Sequence, residues 1–478
     1  MKRLKIGYVG MIQKNFTGDK AGVRKRSLED LTALVAEMGC DLFVYPDEVV
    51  LPEDANKAKA AIEAENVDFV LLQNTSFCSG YLVQILAKTN AAIGLWAVPE
   101  TTESGPMPLN SFCGINIGSA LIKHYLKEYK IKYKWFYGYG DDPMFTQRLK
   151  VAIRALRALV NLRDSKVGFL GGIAPGFDNF YDDERLVEKR FGITIDRHLE
   201  FNDIASRSKL YKSEELKPVL AALTADTACI TDRAIQDLEK FARVYLAYRD
   251  IAKERGLSAF ASTCWPRFRL EMSTVPCLTF ARLTDAGIVT ACEGDVLSAI
   301  SMLALKYIAD DTPTHMDLSI IDNKDDSMLF WHCGVGSKFY AKGDKISVEQ
   351  HFNPGPYSPE TGWAIQAPVS SMEFAPANVS IMRFTNECGA AFVMGGDFFD
   401  GKLSHDGSRG WMHNFTFNGE AINVPDLVNT ILVNGFHHHY PMVRGNYFAE
   451  IMDLLYFLDI KLLKRHEYAH FNRPETEV

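Results

Sequence analysis

Apolar residues in the first third of the chain alternate between short continuous runs and runs with helical spacing. Residues 6–9, 42–45, 69–72 and 93–98 form the continuous runs, and amphipathic patterns separate them. Runs rich in Val, Ile and Leu, with no polar face, are typical of parallel strands that are covered on both sides. The pattern therefore predicts a doubly wound parallel sheet in a first α/β domain, residues 1–164.

The same alternation starts again after this stretch, which predicts a second doubly wound α/β domain over residues 165–315. Its first strand pattern, residues 166–172, ends in a glycine-rich turn, and further strands are predicted at 259–261 and 287–290. The turn matches neither the dinucleotide-binding pattern nor the Walker pattern, so a tight turn explains it better than a nucleotide site does.

After residue 315, short apolar runs separated by Gly, Asn and Pro replace the helical periods. Closely spaced strands of this kind are typical of an antiparallel sheet or a small barrel. Two helical patterns follow, near residues 424–433 and 447–458. We therefore predict a third domain, residues 316–478, that is mostly antiparallel β-structure and barrel-like.

Composition narrows the range of partners and compartments. The chain of 478 residues has a formal net charge of −8 and no basic stripe, which argues against a nucleic-acid partner. Its nine cysteines include no Cys-x-x-Cys pair, so neither a zinc knuckle nor a disulfide framework is indicated. The N-terminus is unlike a signal peptide and no apolar run reaches membrane-spanning length, so we expect a cytoplasmic protein with no membrane partner.

Glu293 is the first candidate for chemistry. It lies in the sequence Thr-Ala-Cys-Glu-Gly-Asp, residues 290–295, between a predicted strand and a helical pattern that begins at Val296. Ligands of α/β proteins bind at the carboxyl ends of strands beside helix N-termini. A carboxylate at this position is therefore either a helix cap or a group that binds or reacts.

Two further candidates lie downstream. Asp317 is on the next apolar run, residues 316–321, and His437, His438 and His439 form a histidine run near the C-terminus. Two carboxylates from successive elements can share one divalent cation, and oxygen with imidazole suits Mn²⁺, although Zn²⁺, Co²⁺ and Fe²⁺ remain open. The structural alternatives are a strand-end aspartate and a polar histidine loop.

These residues resemble the L-fucose/L-arabinose isomerase family of metal-dependent aldose–ketose isomerases. The spacing from Glu293 to Asp317 is similar to that of the Mn²⁺-binding Glu and Asp of fucose isomerases, and residues 439–445 resemble the segment that supplies their histidine ligand. The resemblance implies that Glu293, Asp317 and His439 bind Mn²⁺. It also makes His332, the counterpart of an arabinose isomerase ligand, and His438 candidates for further ligands.

The sugar contacts are predicted partly from this resemblance and partly from position. Trp411 and Asn434 match an aromatic residue and an asparagine of the family, whereas Trp265 follows a predicted strand. In the family the site lies between subunits, which implies a homotrimer or homohexamer whose first domain covers a neighbour's metal. The predicted substrate-binding residues are Trp265, Trp411, Asn434, Arg444, Lys20 and Arg24.

The expected function is a Mn²⁺-dependent aldose–ketose isomerase that interconverts a sugar aldehyde and a ketone through an enediol. Glu293 and Asp317 would exchange the proton between C1 and C2. One alternative is the same chemistry on an anionic hexose with a sulfonate or phosphate at C6, such as sulfoquinovose, with Lys20, Arg24, Lys25 or Arg267 as counter-charges. Another is a non-catalytic sugar-binding protein.

Overall fold

The computed structural model describes residues 1–16, 22–235, 237–351 and 367–470, and its contacts group into two compact units, Met1–Val160 and Asn161–Val478. The elements of residues 1–163 alternate strand and helix as the sequence pattern predicts. They are β1 (Lys5–Met11), α1 (Val23–Glu37), β2 (Asp41–Val44), α2 (Pro52–Ala64), β3 (Phe69–Asn74), α3 (Gly80–Leu86), β4 (Ala92–Ala97), α4 (Ser111–Ala120), β5 (Tyr133–Tyr137) and α5 (Pro143–Arg163).

The strands of the first unit form one parallel sheet in the order β2-β1-β3-β4-β5. This is the order of doubly wound sheets of the flavodoxin type. Every residue of the central strand β3 is buried, as expected for a parallel strand that is covered on both faces.

The next part of the chain begins a second alternation. Its elements are β6 (Lys166–Leu170), α6 (Glu184–Phe191), β7 (Thr194–Asp196), α7 (Phe201–Ser208), α8 (Ser213–Ala225), β8 (Thr227–Ile230), α9 (Asp232–Ile235), α10 (Leu238–Arg255), β9 (Ala259–Ser262), α11 (Arg267–Met272), α12 (Cys277–Asp285), β10 (Val289–Ala291) and α13 (Val296–Ala309). Four of the strands form a second parallel sheet in the order β10-β9-β6-β7.

Strands dominate the remainder of the chain. They are β11 (Thr314–Asp322), β12 (Ser327–His332), β13 (Ile346–Gln350), β14 (Pro368–Glu373), β15 (Ala377–Phe384), β16 (Ala390–Phe399), β17 (Ser408–Phe417), β18 (Glu420–Ala421), β19 (His439–Arg444) and β20 (Lys461–Leu462), with helices α14 (Val424–Val433) and α15 (Phe448–Leu458). The ten strands β11 to β20 belong to a mixed sheet of eleven strands, of which β8 is the eleventh.

Six of these strands close into a ring, in the order β16-β15-β19-β11-β12-β17, because β16 pairs with both β15 and β17. All six pairings in the ring are antiparallel. Apolar side chains of the ring, among them Phe330, Phe392, Met412 and Tyr440, belong to one buried cluster. A closed ring leaves none of these six strands with an open edge.

The chain is therefore a mixed α/β protein with two parallel sheets and one mixed sheet. The ring agrees with the antiparallel, barrel-like pattern of the third predicted domain, but β8, from the second predicted domain, joins the same mixed sheet through a parallel pairing with β13. The division into three domains stays a prediction. In the described part of the chain, no helix combines the length and the apolar character needed to cross a membrane.

The turn that carries Glu293 follows β10 and leads into α13. Glu293 and Gly294 both have positive φ angles, of 63° and 79°. A Cβ on Gly294 would lie 2.5 Å from the carbonyl oxygen of Gly172, and the carbonyl oxygen of Glu293 accepts a hydrogen bond from Ala174 (3.0 Å). The glycine-rich turn after β6 is thus a close packing partner of the Glu293 turn, and a tight turn is the correct interpretation of its glycines.

Replacing Gly294 by Ala should lower the free energy of unfolding more than replacing Gly256 by Ala. Both glycines have positive φ, which costs an alanine about 1–2 kcal/mol, but no atom lies within 4 Å of a Cβ on Gly256. The clash with Gly172 should add about 1–3 kcal/mol for G294A. Urea unfolding of both variants measures the difference, and equal losses would contradict the close approach.

Candidate active site

The register of the ring places Asp317 beside His439. The two residues are cross-strand partners in the antiparallel pairing of β11 with β19, so their side chains lie on the same face of the sheet. The Oδ1 atom of Asp317 lies 3.8 Å from Nε2 of His439. The structure therefore brings together two of the three predicted ligands through backbone pairing alone.

Glu293 reaches the same place from the turn after β10. Its Oε2 lies 3.3 Å from Nε2 of His439 and 3.1 Å from Nε2 of His438. The ligand atoms of these three side chains all lie within 4.8 Å of one another, a group that does not include Asp317. His439 is fully buried, whereas the side chain of His438 keeps 36% of its accessible surface.

Asp295 fixes the orientation of His439. It is the N-cap of α13, where it accepts a hydrogen bond from the backbone N–H of Ser298 (2.9 Å). Its carboxylate also accepts a hydrogen bond from Nδ1 of His439 (2.8 Å) and two from Arg383 (2.6 and 2.9 Å). With the proton on Nδ1, the Nε2 lone pair of a neutral His439 is directed at Glu293 and Asp317, as in carboxylate–histidine–metal triads.

The charges of this group are strongly coupled. Burial lowers the pKa of His439, but the hydrogen bonds to Asp295 and Glu293 outweigh it and raise this pKa to about 10. Burial raises the pKa of Glu293, but the hydrogen bonds to His438 and His439 bring it well below its usual range. The pKa of Asp295 is likewise lowered, because Arg383 and His439 outweigh its burial. Both carboxylates are therefore ionised at neutral pH.

The residues present fit a divalent cation. The Oδ1 atom of Asp317 is buried and has no hydrogen-bond partner among the described residues, although it lies close to an imidazole. A buried carboxylate oxygen without a donor is costly, and a cation is one group that satisfies it. Two carboxylates and one imidazole with a fixed tautomer form a donor set suited to Mn²⁺ and related divalent ions.

His332 lies beside this group in a separate buried cluster. The Sγ atom of Cys292 lies 3.2 Å from Nε2 of both His315 and His332, and 3.6 Å from Nε2 of His439. The backbone N–H of Cys333 donates to Nδ1 of His332 (2.8 Å), so a neutral His332 carries its proton on Nε2. In this tautomer Nε2 offers no lone pair to a cation, and the predicted ligand role of His332 stays a prediction.

A cavity of about 260 Å³ opens beside Glu293. Trp265 lines it, as does Arg269, whose Nε is buried without a hydrogen-bond partner among the described residues. The other lining residues of the cavity are Cys264, Val275, Cys277, Cys333 and His351. The position of Trp265 is compatible with its predicted contact with a sugar, which stays a prediction.

Three predicted substrate-binding residues make structural contacts, and their predicted sugar contacts stay predictions. Trp411 is buried in β17, where its indole N–H donates to the carbonyl of Leu403 (2.9 Å). Asn434 caps α14 and donates to the carbonyls of Thr430 and Lys464 (2.8 and 2.9 Å). These contacts leave the predicted sugar contacts of Trp411 and Asn434 without support.

Arg444 lies at the opposite end of β19 from His439, and a strand rises about 3.3 Å per residue. Its guanidinium pairs with Asp311 (2.9 Å) and donates to the carbonyl of Phe339 (2.6 Å). Its predicted contact with the substrate stays a prediction.

Of the two basic residues of the first domain that were predicted to bind substrate, the structure describes Arg24. Arg24 belongs to the first unit, where it donates to the carbonyls of Tyr45 and Pro46 (2.9 and 2.8 Å). Lys20 lies outside the described residues. The predicted homotrimer or homohexamer, in which this region would cover a neighbour's site, stays a prediction.

Sequence reasoning missed four residues of this centre. Asp295 carried the signal of a helix N-cap, an acidic residue directly before a helical pattern. Arg269 lies two residues from both Arg267 and Glu271 and carried no signal that separates it from Arg267. Arg383 and Phe180 gave none, although the Phe180 ring stacks on His439 with centroids 4.6 Å apart and lies under the guanidinium of Arg383.

The metal-free protein should lose stability as the pH rises above neutral. The pKa of His439 is raised from about 6.5 in the unfolded chain to about 10 in the folded one. Its contribution to stability is therefore complete below about pH 6.5 and is lost as the pH rises through about 10, by an amount on the order of a few kcal/mol. Urea unfolding with a chelator present, between about pH 6 and pH 10, measures this loss.

The free energy of unfolding of H439Q should fall less than that of the wild type as the pH rises. H198Q, which changes an exposed histidine, should show the same pH dependence as the wild type. An equal decline in wild type and H439Q would show that the buried imidazole is not charged in the metal-free protein.

No family model matches the chain. Among curated proteins it is 25% identical to sulfoquinovose isomerases of Priestia aryabhattai and Priestia megaterium over 466 residues, which cover 96% of this chain and 99% of each relative. The sulfoquinovose isomerase of Alkalicoccus urumqiensis is 24% identical, with 94% of this chain and 97% of that protein covered.

A comparison with solved structures gives a weaker result. A solute-binding protein of Agrobacterium vitis with bound α-D-tagatopyranose is 15% identical, with 63% of this chain and 89% of that chain covered, at a TM-score of 0.18. At this score the likeness carries no argument, and it does not favour a sugar-binding protein. The link to fucose and arabinose isomerases stays a prediction. The predicted enzyme class, an aldose–ketose isomerase, is confirmed by the curated relatives.

Proposed function

We propose that this chain is a divalent-cation-dependent isomerase that converts sulfoquinovose, a sulfonated hexose, into the corresponding ketose. The observation that carries the proposal is that Glu293 and Asp317 both approach Nε2 of His439, at 3.3 and 3.8 Å, while Asp295 holds the other side of the imidazole. The names of relatives that match nearly the whole chain support the choice of sugar.

Glu293 Oε2, Asp317 Oδ1 and His439 Nε2 would hold the cation. When bound, an ion of the Mn²⁺ class polarises the oxygens on C1 and C2 and stabilises the developing negative charge, typically by several kcal/mol. His438 Nε2 is partly exposed and lies against Glu293, so it is placed to contact the ion or a sugar hydroxyl.

The proton is moved by the two carboxylates. Interconversion of an aldose and a ketose transfers a proton between C2 and C1 and requires bases near both carbons. Glu293 is 14% exposed and is ionised at neutral pH, which is the form that can accept a proton from a bound sugar. Asp317 approaches from β11, and we assign it the second face of the enediol.

Arg269 supports an anionic substrate. It is the arginine among the residues that line the cavity beside Glu293, and no ion pair of its guanidinium occurs within the described ranges. A guanidinium binds sulfonate oxygens through charge-assisted hydrogen bonds. Arg267, one of the four counter-charges that the sequence analysis named, is paired with Glu271 (2.6 Å) and lies over the ring of Phe201.

E293Q and D317N should abolish conversion of sulfoquinovose while the protein stays folded. Each removes a charged ligand and a base, and the loss of such an interaction in a transition state typically costs about 10²-fold or more in kcat. The measurement is ketose formation from sulfoquinovose by chelator-treated protein supplied with Mn²⁺, together with the bound metal per chain.

Two carboxylates that have ion-pair partners outside the proposed cation site serve as controls. D322N changes a residue of the same strand as Asp317 that pairs with Lys402, and E271Q changes the partner of Arg267. Both should keep full turnover. Turnover by E293Q, or conversion of sulfoquinovose without a divalent cation, would contradict the proposed mechanism.

R269Q should raise the KM for sulfoquinovose about 10-fold to 100-fold, because a hydrogen bond to a charged group contributes about 1.5–3 kcal/mol. Any conversion of glucose, which has no anionic group, should be unaffected. The assay compares sulfoquinovose, glucose and glucose 6-phosphate at saturating Mn²⁺.

R267Q is the matched control, since it removes an arginine from the same helix that already has a carboxylate partner. Its KM for sulfoquinovose should stay close to that of the wild type. A higher KM for sulfoquinovose in R267Q but not in R269Q would show that Arg267, and not Arg269, contacts the anionic group.

A further inference from the structure

Two thiols and an imidazole meet on the wall of the cavity, apart from the residues assigned to the isomerase reaction. The Sγ atoms of Cys277 and Cys333 are 3.6 Å apart. One ligand atom from each of these cysteines and from His351 lies within 4.8 Å of the other two. Cys277 and His351 are buried and Cys333 is half-buried.

The three side chains come from three separate elements of the fold. Cys277 is the first residue of α12, a helix of nine residues, and a helix N-terminus stabilises a thiolate. Cys333 directly follows β12, and His351 directly follows β13. Convergence of three separate elements gives the cluster a defined geometry before any ion binds.

The donor set selects a thiophilic cation. Two sulfur atoms and one imidazole nitrogen are typical ligands of Zn²⁺, and three protein ligands leave a fourth tetrahedral position open. With a Zn–S bond of about 2.3 Å, two sulfur ligands at a tetrahedral ion are about 3.8 Å apart. The observed separation of 3.6 Å is close to this value.

We propose that Cys277, Cys333 and His351 form a second cation site, which binds a thiophilic divalent ion of the Zn²⁺ class. It shares no ligand with the site of Glu293, Asp317 and His439, whose oxygen donors suit harder ions. Its three residues line the cavity together with Glu293 and Arg269, so the ion is reached from the same space as the sugar. The proposal does not depend on which sugar the enzyme converts.

Cd²⁺ titration of the full-length protein, with Mn²⁺ in excess to fill the oxygen-rich site, tests the proposal. Thiolate ligation of Cd²⁺ produces an ultraviolet charge-transfer band, which should rise and saturate at about one Cd²⁺ per chain. C277S and C333S should each lower the band to roughly half or less, because one of the two thiolates is lost. The double variant should show none.

Two cysteine variants act as controls for the band. C229S removes an exposed thiol, and C292S removes the buried thiol that faces His315 and His332. Both should keep the full band, as should E293Q, which damages the isomerase site alone. A band that disappears in C292S but persists in C277S would place the thiolate ligation in the other cluster and overturn the proposal.

A second measurement avoids substitutions that could unfold the protein. Zn²⁺ added to the wild-type protein should slow alkylation of Cys277 and Cys333 by iodoacetamide, as followed by peptide mass spectrometry, and should leave Cys229 reactive. If Zn²⁺ does not change the alkylation rate of Cys277 or Cys333, the proposal is overturned, whatever the result of the isomerase assays.

Discussion

The buried carboxylate of Asp295 is the contact on which the candidate site depends. It joins Nδ1 of His439 to the guanidinium of Arg383, and the side chains of all three are fully buried. Removing one partner of such a buried pair typically costs about 3–5 kcal/mol, because the other charge is left uncompensated. Reversing the His439 ring would break its contact with Asp295 and would therefore be costly. Nε2 consequently faces Glu293 and Asp317.

This contact ties the helix after β10 to the ring of strands. Asp295 begins α13, and farther along the helix Ser301 accepts a hydrogen bond from the backbone N–H of Phe384 (3.1 Å), next to Arg383 in β15. In the ring, β15 pairs with β19 and β19 pairs with β11. One helix and three adjacent strands thus set the positions of Asp295, Arg383, Asp317 and His439, and Glu293 lies in the turn directly before that helix.

The sequence predicted the parts of this arrangement that local pattern determines. The strand-to-helix turn of Glu293, the strand of Asp317 and the first parallel sheet all follow from periodicity, and the structure has each of them. Arg383 could not be predicted, because its role depends on the pairing of β15 with a strand about sixty residues later. Asn434 was predicted from its match to an asparagine of the resembled family and Arg444 as a hydroxyl or anion contact, and tertiary structure gives them a helix cap and an ion pair with Asp311, which no local pattern indicates.

In the proposed function, the cation and Arg269 compensate two different sets of negative charge. Glu293 and Asp317 are two acidic side chains at the place where a sulfonated sugar would react, and like charges a few ångströms apart in a poorly hydrated cavity repel strongly. In the proposed function, a divalent cation held by these side chains would reverse the sign of the local field. Arg269 would then compensate only the sulfonate, on the cavity wall, and different groups would recognise the reacting end of the sugar and its anionic end.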